Sequence, residues 1–208
     1  MSDNPLLALL GTPGELFEPE DERILVAALE QFALTGVRRT STDDIARRAG
    51  VNRATLYRRM GTKDQIVGGA MVFEAGRVLS QIEEALGPVG DPADYVVRFF
   101  VVTQNALRGN RLLHQLLEVD RDETLLALTA RAGQIVELAS AYLGSRIRRI
   151  REHAGVDAPE PEVSAVAVVI TRLTQSLLLT PDGPPELGTR EQMESFARTV
   201  LVPMMIGR

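Results

Sequence analysis

Three arginines lie within the stretch "VNRATLYRRMGTK", namely Arg53, Arg58 and Arg59, and the stretch ends at Lys63. An arginine can donate two hydrogen bonds to the edge of a guanine base, and lysine or arginine can pair with phosphates. Residues 38–63 contain eight Lys or Arg and two Asp, a charge of +6, which leaves −11 for the rest of a chain with a formal net charge of −5. Such asymmetry indicates one nucleic-acid-binding part in an otherwise acidic protein. The alternative is a solvated basic face on an unrelated helical bundle.

Three short helices are predicted around these cations, over residues 23–35, 41–49 and 53–60. Their apolar residues recur at helical spacing, and no convincing strand pattern is present anywhere in the chain. We expect the apolar side chains of the second and third helices to point inward: Ile45, Val51, Leu56 and Met60.

The ends of these helices carry capping signals. Gly36 is predicted as a left-handed cap at the end of the first helix. Ser41 and Asp44 have the spacing of a capping box, although Asp replaces the usual Glu or Gln. Asn52 suits the start of the third helix, and Gly50 ends the second. These signals favour two short helices joined by a tight turn.

Two short helices joined by "AGVN" have the length and turn of a helix-turn-helix, whose second helix enters the major groove of DNA. Arg53 is positioned to read guanine, and the small Ala54 permits close approach to a thymine methyl group. Thr42, Tyr57 and Lys63 are expected to touch phosphates. The predicted DNA-binding residues are Thr42, Asn52, Arg53, Ala54, Thr55, Tyr57, Arg58, Arg59 and Lys63.

The stretch "ILVAALEQFALTGVRRTSTDDIARRAGVNRATLYRRMGTKDQIV", residues 24–67, resembles the TetR family of bacterial transcriptional regulators. The resemblance rests on "TSTDDIARRAGV" followed by "TLYRRMGTK" at fixed spacing. It departs from the family where Met60 replaces a commoner aromatic residue, and where "YRR" replaces the frequent "YYH". Operator preference therefore cannot be borrowed from a relative. The resemblance implies a double-stranded DNA operator, a homodimer and a variable C-terminal ligand domain.

The whole chain is predicted to be all-α, with about nine helices. We expect an N-terminal arm over residues 1–20, a three-helix DNA-binding domain over 21–66, and a larger helical domain for ligand binding and dimerisation over 67–208.

A dimer interface is predicted from the segment "PEVSAVAVVITRLTQSLLLT", whose apolar residues fall on nearly every face of a helix. A partner helix is the economical cover for one face, and with the final helix it would form a four-helix interface about a two-fold axis. The alternative is a large monomer core. Pro203 is expected to mark the frayed end of the last helix. The predicted interface residues are Val169, Leu173, Leu177, Met193, Phe196, Val200 and Met204.

A ligand pocket is sought among polar side chains that interrupt apolar runs. The polar candidates are Gln104, Tyr142, Arg172 and Gln175, and Phe100 and Leu117 are expected to supply apolar wall. Arg172 can equally pair with an acid at the dimer interface, and Tyr142 can be a core residue with a hydrated hydroxyl. The expected effector is a small apolar or amphipathic molecule of unknown identity.

Several classes of function are disfavoured. There is no cysteine, so disulfides and thiolate chemistry are excluded, and no enzyme, metal or cofactor motif is present. No N-terminal targeting signal is expected, and no stretch is expected to approach the length of a membrane span, since Arg172 and Gln175 interrupt the most apolar one. A cytoplasmic protein is the simplest interpretation.

Three hypotheses remain. The first is a ligand-responsive regulator, most often a repressor. The second is a DNA-binding regulator without a small-molecule effector, and the third is a helical small-molecule-binding protein with vestigial DNA binding. An internal cavity favours the first over the second, and intact cations at Arg53, Arg58 and Lys63 disfavour the third.

Overall fold

The computed structural model describes residues 17–207, and within that range every regular element is helical. The predicted all-α class is confirmed, and the described residues contain ten helices where about nine were expected for the chain, the last of them interrupted by a π turn. Most of the predicted N-terminal arm lies outside the described residues. The helices are α1 (Pro19–Thr35), α2 (Thr42–Ala49), α3 (Arg53–Met60), α4 (Lys63–Leu86), α5 (Pro92–Arg108), α6 (Arg111–Val119), α7 (Arg121–Leu128), α8 (Gly133–Ala154), α9 (Glu160–Leu179) and α10 (Arg190–Phe196), which continues through the π turn Ala197–Leu201 into α11 (Val202–Ile206).

The chain packs as two compact units. The first ends at Arg77 and resumes over Asn110–Ile135, and the second comprises Val78–Gly109 and the residues from Val136 onward. The first unit therefore contains α1–α3, the larger part of α4, and α6 and α7. The predicted domain boundary after residue 66 stays a prediction.

The core of the first unit forms around α1, which packs against α2 and α6. Ile24 and Phe32 of α1 are fully buried, as are Ile45 of α2 and Leu56 of α3. Val51 and Met60 are half-buried against the same cluster. The four side chains predicted to point inward therefore do so, because the short α2 and α3 have no other apolar surface large enough to bury.

The predicted caps are present with one correction. Ser41 and Asp44 form a complete capping box, and the Asn52 side chain accepts a hydrogen bond from the Thr55 amide. Gly36 has φ 83° and ψ 154°, so the prediction of a left-handed helical cap there was wrong. Its positive φ still favours glycine, and an added Cβ would lie 3.0 Å from the Asp120 side chain. The end of α1 is therefore shaped by a contact with the junction of α6 and α7.

The second unit is built around α5, whose buried face carries Phe99 and Phe100. The Phe99 ring stacks on Tyr142 of α8 with 6.3 Å between centroids, and the Phe100 ring packs on Phe196 at 5.5 Å. Arg151 of α8 is only 1% exposed and binds the last turns of the chain. These contacts join α5, α8 and the C-terminal helices into one core.

Pro203 does not end the last helix. The chain changes to π-type hydrogen bonding over Ala197–Leu201 and resumes as α11, in which Pro203 occupies the first turn. Proline is tolerated there because the first-turn amides of a helix need no intrahelical partner. The expectation that Pro203 marks the end of the helix was therefore wrong, and the helix continues to Ile206.

Helix α9 coincides with the segment that the sequence identified as the most apolar. By length and composition alone Glu160–Leu179 is sufficient to cross a membrane, with a mean hydropathy of 1.4 over 18 residues. Only 28% of that window is buried within the protomer. The expectation that no stretch approaches a membrane span was wrong by this measure, because Arg172 and Gln175 lower the hydropathy too little. A covering partner outside the protomer accounts for such a helix equally well.

Candidate nucleic-acid interface

The outer face of α3 presents a compact polar surface. Arg53, Ala54, Tyr57 and Arg58 are all exposed, while Leu56 anchors the opposite face in the core. Residues four apart on a helix are neighbours, so Arg53 lies beside Tyr57 and Ala54 beside Arg58. Arg58 makes no ion pair within the described part of the chain. The sequence prediction thus brought together side chains that do share one surface.

Thr42 and Tyr57 join the start of α2 to the face of α3. Their hydroxyl oxygens lie 3.0 Å apart, although Thr42 itself is largely buried. The hydrogen bond with Thr42, and after it the contact with Arg53, lower the pKa of the Tyr57 hydroxyl from its ordinary value. A polarised phenol beside the free amides of a helix start is a suitable group for a phosphate oxygen.

The Arg53 guanidinium contacts two neighbouring side chains, Tyr57 and Asp43. Its guanidinium carbon lies 5.4 Å from the centre of the Tyr57 ring, and its Nη1 is 3.4 Å from the Asp43 carboxylate. The contacts with Tyr57 and then Asp43 raise the pKa of Arg53. Both side chains of the ion pair are more than half exposed, so solvent weakens the pair and a base edge can replace Asp43.

Arg59 and Lys63, both predicted to bind DNA, have partners inside the protein. Arg59 is paired with Asp21, with Glu18 at 2.7 Å and with Glu20 at 3.1 Å. The Nζ atom of Lys63 donates to the backbone carbonyl of Arg38 at 3.3 Å. Arg59 is thereby committed to the start of α1.

Asn52 and Thr55 at the start of α3 bind each other and are not part of its outer face. The Asn52 side chain accepts from the Thr55 amide at 2.8 Å, so it caps α3 and sets the direction in which the helix begins. Thr55 is half-buried. The surface that remains for direct contact consists of Arg53, Ala54, Tyr57 and Arg58, which we call the α3 face.

The six predicted ligand residues do not share one place. Phe100, Gln104 and Tyr142 are buried in the second unit, whereas Leu117 lies on α6 of the first unit. Arg172 is exposed on α9 and donates to the Gln175 side chain at 3.0 Å.

Two of these residues have distinct polar environments. The Nε2 atom of Gln104 is buried without a hydrogen-bond partner among the described residues. The Tyr142 hydroxyl donates to Glu83 at 2.9 Å, and burial, followed by the Glu83 charge, raises the pKa of Tyr142. Gln104 is therefore the predicted residue with unused hydrogen-bonding capacity.

A cavity of about 540 Å³ lies in the first unit, where the sequence prediction did not place one. None of the six predicted ligand residues lines it. Its wall comes from the turn after α1, the first turns of α4, α7 and the start of α8: Val37, Arg38, Lys63, Asp64, Val67, Gly68, Met71, Val72, Glu123, Ala127, Arg131, Gln134 and Ile135.

The predicted dimer residues divide into accessible and buried groups. Val169 is 52% exposed, and Leu173, Val200 and Met204 keep part of their surface accessible. The remaining predicted residues mainly serve the core of the protomer: Leu177, Met193 and Phe196. Val168, the residue before Val169, is 44% exposed and was not among the predicted interface residues.

Two further contacts were missed by sequence reasoning. The backbone amide of Arg38 donates to the Asp120 carboxylate at 2.8 Å, across 82 residues of chain. The Thr62 amide donates to Gln65, and the Gln65 amide to Thr62, so these residues cap α4 reciprocally. The spacing Thr-x-x-Gln could have revealed the second contact, but no local signal reveals the first.

Two family models match the chain. One, described as bacterial regulatory proteins of the tetR family, matches residues 24–70 and so contains the whole α3 face. The other, described as the bacterial tetracyclin repressor C-terminal domain, matches residues 95–198, half of the chain.

Known proteins match over most of the chain. A protein of Mycobacterium tuberculosis strain H37Rv, named an uncharacterized HTH-type transcriptional regulator, is 27% identical over 182 residues, covering 88% of this chain and 85% of that relative. The TetR family repressor AlkX from Dietzia sp. strain DQ12-45-1b, implicated in biodegradation of n-alkanes, is 19% identical with a TM-score of 0.66, covering 91% of this chain and 96% of AlkX. The TetR family repressor QsdR of R. erythropolis is 19% identical with a TM-score of 0.64, covering 90% of this chain and 94% of QsdR. At this identity the two solved structures show a shared fold.

Proposed function

Because the chain belongs to the TetR family of bacterial transcriptional regulators, we propose that it is a repressor released from a palindromic operator by a small apolar or amphipathic ligand. Proteins of this family bind DNA as dimers and are regulators rather than enzymes. The observation that carries the proposal is the exposed α3 face, on which Arg53 is pre-positioned and Arg58 is unpaired in the described structure. We also propose that the protein acts in the cytoplasm, where the chromosome lies.

The α3 face supports a specific division of labour on DNA. Arg53 exchanges the weak pair with Asp43 for the O6 and N7 atoms of a guanine, and Ala54 allows the helix to approach the base edges closely. Tyr57 and Arg58 contact phosphates, which fix the register of the helix. In a two-fold dimer the two α3 faces read half-sites about 34 Å apart, so the operator is a palindrome.

Replacing Arg53 with Ala is expected to weaken binding to the preferred operator by about tenfold to a hundredfold and to relax the preference at one base pair, because a bidentate donor to guanine is lost. The measurement is to sequence the DNA fragments that the purified protein retains, and then to titrate the preferred fragment. Arg149→Ala removes one exposed positive charge from α8 and serves as the charge-matched control. If the retained sequences are the same for Arg53→Ala and the wild type, Arg53 does not read a base.

Release by a ligand makes a second prediction, which is reciprocal. A ligand that lowers the affinity of the protein for the operator must bind more weakly, by the same factor, when the operator is present. This factor is commonly about 5-fold to 150-fold in allosteric proteins. Compounds that raise the melting temperature identify the ligand, whose affinity is then measured with and without operator DNA. Equal affinities in the two titrations would leave the second candidate, a DNA-binding regulator without that effector.

Two observations support a ligand. The buried amide of Gln104 has unused hydrogen-bonding capacity, and the cavity of about 540 Å³ is within the usual range for small-molecule sites. The cavity also adjoins the turn between α1 and α2, so its occupant lies close to the element that precedes the DNA-binding helices. AlkX and QsdR are both named as repressors, which favours repression over activation.

A further inference from the structure

The cavity of the first unit combines an apolar surface with a cationic corner. Its apolar wall comes from α4, α7 and the start of α8: Val67, Met71, Val72, Ala127 and Ile135. Lys63, the first residue of α4, lies beside Arg38 of the turn after α1, since the Lys63 ammonium donates to the Arg38 carbonyl. A cavity of this size holds a small molecule rather than a helix of a partner protein.

The balance of charge in the cavity favours an anion. Glu123 and Arg131 form an ion pair with each other, so they largely cancel. Asp64 is exposed and opposes one of the two remaining cations. The Arg38 guanidinium makes no hydrogen bond or ion pair within the described part of the chain, although its backbone amide is bound by Asp120. Arg38 is exposed, so its five donors bind water and are free to exchange that water for an anion beside the apolar wall.

The paired glycines of α4 explain why the cavity exists. A Cβ atom added at Gly69 would lie 3.3 Å from Leu25, so Gly69 allows α1 to pack closely on α4. A Cβ atom added at Gly68 would meet only the Gln134 side chain at 3.9 Å, so Gly68 opens into the cavity. Close packing on one side and open space on the other are thus set by two successive residues.

The turn that leads to α2 is held at Arg38 by two hydrogen bonds to its backbone. Lys63 holds the Arg38 carbonyl from α4, and Asp120 holds the Arg38 amide from the junction of α6 and α7. Three residues later the chain caps α2 at Ser41. An anion bound to Lys63 would compete with the Arg38 carbonyl for the Lys63 ammonium and so loosen one of the two contacts that hold this turn.

We propose that this cavity is a binding site for an amphipathic anion, a carboxylate, sulfonate or phosphate on an apolar body, with Arg38 and Lys63 as its anion-binding groups. The bound anion shifts the turn between α1 and α2 because it competes with the Arg38 carbonyl for Lys63. The binding claim stands by itself, and its effect on DNA rests on the proposed function above.

The test uses two fluorescent probes that differ in charge. The probe 1-anilinonaphthalene-8-sulfonate carries a sulfonate, and N-phenyl-1-naphthylamine is the same apolar body without it. We expect Arg38→Met to weaken the sulfonate probe at least about tenfold and to leave the neutral probe unchanged, because only the first uses a charge-assisted hydrogen bond. Arg39→Met is the matched control, since exposed Arg39 binds the Thr35 carbonyl and does not line the cavity. If Arg38→Met lowers the affinity for both probes equally, or changes neither affinity, the assignment of Arg38 is overturned.

A second pair of variants tests the cavity itself. Gly68→Leu fills the space from α4 and is expected to abolish binding of both probes, whereas Gly68→Ala improves helix propensity equally and leaves the cavity open. Undiminished probe binding by Gly68→Leu places the probes elsewhere and overturns the site. All these titrations are done without DNA, so they do not depend on ligand-controlled release.

The link to DNA is measured separately by titrating the operator with saturating sulfonate probe. We expect the probe to lower the affinity of the wild type and of Gly68→Ala for the operator, and to leave the affinity of Gly68→Leu unchanged. Probe that occupies the wild-type cavity without changing operator affinity overturns the proposed action on the turn.

Discussion

Replacing Val169 with Glu is expected to separate the proposed dimer into monomers. Val169 is 52% exposed in the protomer, and its neighbour Val168 on α9 is 44% exposed. In a two-fold interface the variant would bury one unpaired carboxylate from each subunit. An uncompensated buried charge costs about 3 kcal/mol or more, so the dissociation constant should rise at least about a hundredfold.

Light scattering and sedimentation at micromolar concentration measure this change. Val26→Glu is the matched control, because Val26 is 37% exposed on α1 and outside the proposed interface. Val200→Glu tests the second half of the interface in the same way. A wild-type protein that is monomeric at micromolar concentration, or a Val169→Glu variant that remains dimeric, contradicts an interface on α9.

Replacing Arg151 with Met is expected to destabilise the second unit by about 3–5 kcal/mol, because it removes a buried charged donor while keeping the volume filled. Arg151 Nε donates to the Met205 carbonyl at 2.9 Å, and its Nη2 lies 2.7 Å from Glu162 of α9. The last carbonyls of a helix have no partner inside the helix, so Arg151 acts as the cap of α11. Methionine leaves these carbonyls buried without a donor.

Urea unfolding at fixed protein concentration measures the loss, since dimerisation makes apparent stability depend on concentration. Arg149→Met is the matched control, because Arg149 is exposed two residues earlier on α8. Arg151→Lys keeps the charge without the planar fork of donors and should fall between the two. An unchanged urea midpoint for Arg151→Met would falsify the capping role.

The two predictions concern linked parts of the second unit. Arg151 fixes α11 and α9 within one protomer, and Val169 lies on the face of α9 that the protomer leaves uncovered. Loss of Arg151 is therefore expected to weaken dimerisation indirectly, whereas Val169→Glu should leave the protomer folded. Far-ultraviolet circular dichroism of the two variants separates these outcomes.

The sequence by itself determined the short-range features of this protein. The capping box of Ser41 and Asp44, the Asn52 cap and the burial of Leu56 are set by residues three or four apart, so helical periodicity and cap chemistry predict them. The concentration of charge over residues 38–63 is a property of the chain that folding does not change. Because helical spacing also decides which residues of one short helix share a side, the sequence predicted Arg53, Ala54, Tyr57 and Arg58 together on the surface of α3.

Only the tertiary structure decided which of these cations remain available. Arg59 meets Asp21 across 38 residues of chain, and Lys63 meets the Arg38 carbonyl across 25. Arg151 reaches Met205 across 54 residues. The cavity is likewise lined by segments from Val37 to Ile135. Periodicity reports only which side of its own helix a residue occupies, whereas ion pairs, caps and cavities depend on which other helix packs there.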